Sequence, residues 1–214
     1  MSVTIAEEIL LLAFGEDDGR QLLSAIQLDP AVAGALLAEL ALHERIALRD
    51  KKVRVLNPAP LGDEELDAAL ARIAASPKAH RPAWWVQQLQ SDKLRVRLLT
   101  RLVGAGVLAE ERGRVFGIFR TTRWPELDGR VESRVRERIA GALAGTEPDP
   151  RTAVLIAVMH AAKLDRKAFP GADKQRIKQI ASGAWEAEAV AQTIAAINAG
   201  VSIAVTTAAI TAAT

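Results

Sequence analysis

The stretch KLRVRLLTRLVGAGVLAEERGRVFGIFRTTRWPELD, Lys93 to Asp128, constrains this chain more than any other. It opens as a helix. Leu94, Leu98, Leu99, Leu102 and Val103 recur at helical spacing, so one stripe faces a core. Arg97 and Arg101 are four apart and share a face. Arg95 lies about 200° around the helix from Arg97 at 3.6 residues per turn. The three arginines therefore do not close on one ligand together. Gly104 and Gly106 stop the helix. Val107-Leu108 and Val115 to Phe119 then read as two short strands, with Arg112-Gly113-Arg114 as the turn between them. Arginines beside an apolar hairpin make a surface suited to something anionic.

Around this stretch the chain reads as helical. Thr4-Ile-Ala-Glu7 is a capping-box pattern opening a helix to Phe14. Asp29-Pro30 predicts a helix start, with Asp as N-cap, running to about His43. Arg45 to Arg49 and Val53 to Leu56 alternate around Asp50-Lys51-Lys52, a small hairpin. Further helices are expected from Gly62 or Asp63 to Ala75, from Trp84, over Asp128 to Leu143, over Thr152 to Lys163 after Asp149-Pro150, and over Asp173 to Ala181. Ala189 to Thr214 carries no charge and is expected to be a helix pair buried in the fold rather than a membrane span. The sum is one mostly α domain over residues 1–214, a core helical bundle ringed by amphipathic helices, with two short β-hairpins.

Composition excludes more than it assigns. The chain lacks cysteine, which removes disulfides and thiolate metal sites and fits a reducing compartment. Glu7 and Glu8 interrupt the first apolar run, which argues against a signal peptide. The net charge is only +2, but arginine crowds between Arg95 and Arg138. His43, His80 and His160 are scattered, without partners at metal-ligand spacing; His160 reads as a hydrogen-bonded core histidine. Glu7-Glu8 and Glu64-Glu65 sit early in helices, where acids complement the dipole, and Glu110-Glu111 flanks a turn. No phosphate-binding loop, nucleophile elbow or dinucleotide fingerprint occurs. The expectation is no enzyme, no cofactor, no metal and no small-molecule substrate.

Two binding readings remain for the central stretch. A helix followed by an arginine-tipped hairpin is the layout of a winged helix on DNA. Base reading needs polar side chains along one outer face, and only Arg97, Thr100 and Arg101 qualify, so nucleic acid is disfavoured. The other reading is a peripheral membrane contact. Val115, Phe116, Ile118 and Phe119 insert at the interface or mediate self-association, while Arg95, Arg97 and Arg101 contact phosphate headgroups. A protein-interaction scaffold oligomerising through the same hairpin is the alternative.

The order of motifs resembles the Golgi phosphoprotein 3 family, which includes bacterial, especially actinobacterial, homologues. The matching residues are Thr4 to Ala13, Leu36 to Leu42 with Arg45-Ile46, Gly62 to Ala69, Arg97 to Leu108, the hairpin into Thr121-Thr122 before Pro125, and Asp149-Pro150-Arg151. The resemblance implies a mostly helical domain, a protruding apolar hairpin, and binding to phosphatidylinositol 4-phosphate on cytosolic membrane faces. The pocket tryptophan of eukaryotic members falls near Ser24 here, and two of its arginine positions fall at Ala33 and at or near Asp92. Arg95 is the clear survivor, with Arg97 the alternative if the register shifts at the gaps near Ser91. The basic arm that engages vesicle coat has no counterpart before Thr4. Generic anionic-lipid binding by a cytoplasmic, peripheral protein is what carries over.

Overall fold

The computed structural model describes residues 3–15, 19–115, 119–182 and 188–211, with side chains at all of these except 114, 115, 119–121, 188, 189 and 208–211. In chain order the elements are α1 (Ile5–Leu12), α2 (Ala25–Leu42), β1 (Ile46–Arg49), β2 (Lys52–Val55), α3 (Glu64–Ala74), α4 (Pro82–Leu89) and α5 (Asp92–Gly104). They continue with β3 (Glu111–Val115), β4 (Phe119–Arg123), α6 (Arg130–Leu143), α7 (Pro150–Ala161), α8 (Asp165–Ala168), α9 (Lys174–Ala181) and α10 (Glu188–Thr211). The fold is mostly α, a packed bundle with two separate two-stranded antiparallel hairpins.

Local signals set the helix starts. Thr4 caps α1 in a full capping box with Glu7. Asp63 caps α3, Ser91 caps α5 and Asp149 caps α7, each through its side chain. The helix α5 ends in a Schellman arrangement: Gly106 has φ +72, its N–H donates to the Val103 carbonyl at 2.9 Å, and the Val107 N–H donates to Leu102 at 3.0 Å. Asp50 and Lys51, with φ 51 and 60, form the two-residue turn of the β1–β2 hairpin.

The Asp29-Pro30 start is corrected. The helix α2 begins at Ala25, with Ser24 as N-cap, and Pro30 lies inside it. Proline there leaves one helical hydrogen bond unmade. Burial of Leu28 and the Asp29 contact to Arg95 accompany that extra turn.

The helices α2 and α7 are apolar on nearly all sides and form the centre. The buried cluster runs from Val3 to Val205. The C-terminal expectation is also corrected: α10 is one helix, not a pair. Ile194, Ile197, Val201 and Val205 bury one stripe against the bundle. Two glycines permit its close approach. A Cβ on Gly34 would meet Val201 Cγ2 at 2.2 Å, and one on Gly200 would meet Ala83 Cα at 2.9 Å. Both α2 and α10 have the length and a mean hydropathy of 1.4 that would suit a membrane span; 72% of the α2 window is buried inside the protein but only 33% of the α10 window, so the expected burial of the C-terminal segment holds for one stripe and not for the whole helix.

The second hairpin has a different register from the expected one. Its strands are Glu111–Val115 and Phe119–Arg123, with Val115 opposite Phe119 and Arg112 opposite Thr122. Arg112-Gly113-Arg114 therefore lies within a strand and is not the turn. Val107 and Leu108 belong to the helix exit; Leu108 bridges Glu126 instead of pairing with Val115 to Phe119.

Candidate functional site

The site expected from sequence is α5 and the hairpin that follows it. Leu94, Leu98, Leu99 and Leu102 anchor α5 in the core, which turns its arginines outward along two faces. Each arginine meets a carboxylate. Arg95 Nε donates to Asp29 Oδ1 at 2.6 Å, joining α5 to α2. Arg97 engages Glu65 with both Nε and Nη2, the latter at 2.8 Å to Oε2. Arg101 donates to Glu7 Oε1 and to Asp63 Oδ2, each at 2.7 Å. The hydrogen bonding of Arg97 to the Glu65 carboxylate leads the rise in the Arg97 pKa. Burial alone lowers that of Arg101, and Glu7 and Asp63 more than offset it.

Exposure separates the three. The Arg97 side chain is 55% exposed, Arg101 30% and Arg95 15%. Arg97 and Arg101 line one cleft of about 360 Å³ with Glu64, Glu65, Val96 and Thr100. Arg95 does not line it. Val96, 46% exposed, puts an apolar side chain beside that cleft. Arg101 Nη2 is buried without a hydrogen-bond partner among the described residues.

The hairpin strands pack chiefly against each other. Their base is fixed to the bundle. Ala109 N–H donates to the Pro125 carbonyl at 2.9 Å, and Trp124 N–H donates to Gly19 at 3.2 Å. Trp124 is buried. A Cβ on Gly19 would lie 2.3 Å from Pro125 N, so only glycine fits there without a shift. Of the apolar residues expected to insert, Phe116 and Ile118 lie outside the described residues. Val115 and Phe119 face each other as the last described pair of the ribbon; their side chains are likewise outside the description.

A model of the family described as Golgi phosphoprotein 3 (GPP34) matches residues 5–197, most of the 214-residue chain. The chain belongs to the Golgi phosphoprotein 3 family. In this member the match runs from the first residue of α1 into α10, and so includes α5 and the whole hairpin.

Sequence reasoning missed a second charged centre in this family member. Glu7, Glu8 and Glu39 are all buried. Arg138 donates to Glu8 Oε1 at 2.6 Å and Arg151 to Glu39 Oε1 at 2.7 Å. Arg151 also donates to the Val3 carbonyl. Glu39 Oε2 accepts the Ile5 N–H at 2.8 Å, closing the start of α1. Burial pushes the Glu8 carboxyl pKa up despite both arginines. Capping was legible for Glu7. The arginine partners of Glu8 and Glu39, more than a hundred residues away, leave no local signal. His160 is half-buried, with Nδ1 2.9 Å from Asp165 Oδ2. Among the described residues no group of three or more His, Asp or Glu is placed to hold a metal ion.

Proposed function

We propose that this protein is a non-enzymatic peripheral membrane protein. It works as a single Golgi-phosphoprotein-3-like domain that docks on anionic phospholipid from the cytoplasmic side. The observation that carries this reading is the β3–β4 hairpin, whose described residues pack chiefly on each other and are fixed to the bundle at the base, directly after the helix bearing exposed Arg97 and Val96. Val115, Phe116, Ile118 and Phe119 enter the interface, and Arg97 meets headgroup phosphate first. Arg101 lines the same cleft and adds its charge there. Arg95 holds α5 against α2 and contributes charge at the edge. Each basic side chain near an anionic surface adds about 1 kcal/mol. Phosphatidylinositol 4-phosphate is the ligand the family resemblance brings in.

The test is vesicle co-sedimentation of wild type against Phe116→Asp with Phe119→Asp. The double variant keeps its fold and loses binding. Unfolding of the variant would place both rings in the core and remove the reading's basis.

One observation favours a second reading. The hairpin is a two-stranded sheet, so each strand has an outer edge without a partner strand among the described residues. Such edges recruit further strands. A scaffold oligomerising through the hairpin predicts that the same double variant changes molecular mass in light scattering.

A further inference from the structure

A second cleft, of about 350 Å³, lies where α1, α6 and α7 meet. Val3, Val131 and Val135 supply its apolar wall, and Glu8, Arg134, Glu137, Arg138 and Arg151 its charges. Most of these charges are satisfied. Arg151 is spent on Glu8, Glu39 and the Val3 carbonyl. Arg138 gives its Nη atoms to Glu8 and Thr152.

Arg134 and Glu137 differ. Both are exposed on α6, both line the cleft, and neither makes a hydrogen bond or a close ion pair among the described residues, although the Arg134 charge is felt at Asp128. They stand three apart on one helix and are neighbours on its surface. Arginine preceding glutamate is the poorer order for such a helical pair. A third group is also unsatisfied: Glu8 Oε2 is buried without a hydrogen-bond partner among the described residues. An anion alone at Arg134 would sit beside two carboxylates. A cation alone at Glu137 would sit beside Arg134 and Arg138. A ligand carrying both signs answers both.

We propose that this cleft binds a small zwitterion, in which Arg134 and the Nε of Arg138, which makes no hydrogen bond among the described residues, take a phosphate and Glu137 takes a primary ammonium two carbons away. A phosphoethanolamine group has this chemistry, free in solution or as a lipid headgroup. A primary ammonium donates hydrogen bonds to carboxylates, whereas the methylated ammonium of choline has no N–H to give. The apolar wall accepts the two-carbon spacer. The site shares no lining residue with the α5 cleft. Only its lipid form rests on the membrane reading above.

Calorimetric titration of the full chain with O-phosphoethanolamine tests the soluble form, with inorganic phosphate and ethanolamine as single-charge controls. Co-sedimentation with phosphatidylcholine vesicles, with and without phosphatidylethanolamine, tests the lipid form at unchanged net vesicle charge. Arg134→Gln and Glu137→Gln alter exposed side chains, and thermal melts check that both variants fold. The expected result is O-phosphoethanolamine binding about tenfold tighter than either control, or retention that requires phosphatidylethanolamine, with each variant weakening it about tenfold. Soluble binding assigns a free metabolite; retention alone assigns the headgroup. Phosphate binding as tightly as O-phosphoethanolamine, or insensitivity to both variants, overturns the proposal, as does absence of binding in both arms. Retention on anionic vesicles, read in parallel with the hairpin variant, stays within about twofold for Arg134→Gln, so the two proposals fail separately.

Discussion

Arg95 Nε lies 2.6 Å from Asp29 Oδ1, and both side chains are largely buried. The contact binds α5 to α2 one position before Pro30, where the helix lacks a backbone N–H. An arginine so placed is a fastener before it is a ligand contact. Arg95→Met leaves Asp29 without its partner and lowers stability by about 2 kcal/mol, read as a shifted urea midpoint. Arg97→Met, at a side chain more than half exposed, shifts it by under about 1 kcal/mol.

The base of the hairpin depends on Gly19. Its φ is +58, and the Pro125 and Trp124 backbones occupy the space where a Cβ would go. Gly19→Ala adds strain and a backbone clash, costing about 2 kcal/mol in a thermal or urea melt. Limited proteolysis of the variant cuts the hairpin base sooner than in wild type.

Gly200 seats α10 against Ala83 of α4. Gly200→Val pushes the helix off that seat. Hydrogen exchange across Glu188–Thr211 then rises while exchange in α7 is unchanged.

Asp149 caps the central helix α7 and accepts from Thr152 through both its N–H and its hydroxyl. Burial raises its pKa, but the Thr152 hydrogen bonds and the Arg138 charge prevail, and the folded value lies below the ordinary 3.8. The folded state therefore holds this proton less tightly than the unfolded chain does. The stabilisation is complete above pH 3.8 and is lost as pH falls through the lower folded value. Asp149→Ala costs about 1 kcal/mol at pH 7, and the gap to wild type narrows below pH 3.8.

Much of this architecture is legible in the chain because caps and apolar periodicity are local. Thr4, Asp63, Ser91 and Asp149 each cap through a side-chain oxygen that accepts from a backbone N–H within three residues. Reading failed where tertiary contact overrode local preference. Pro30 looks like a helix start, yet α2 begins five residues earlier. The arginines of Glu111–Val115 look like a turn because Gly113 sits among them, yet they pair along a strand. Of the α5 face, spacing separated Arg95 from Arg97 and Arg101, and the structure places only the latter two on a common cleft. Their carboxylate partners, Glu65, Asp63 and Glu7, come from two other helix starts and were invisible to periodicity.

The most direct test of membrane docking compares vesicles of neutral lipid, of generic anionic lipid, and of phosphatidylinositol 4-phosphate at matched charge. The account predicts that the protein sediments with both anionic sets and not with the neutral one, less so as salt is raised, and that Phe116→Asp with Phe119→Asp abolishes this. Equal recovery in the supernatant with all three vesicle types would contradict it, leaving a protein with the family's fold and no lipid surface to dock on.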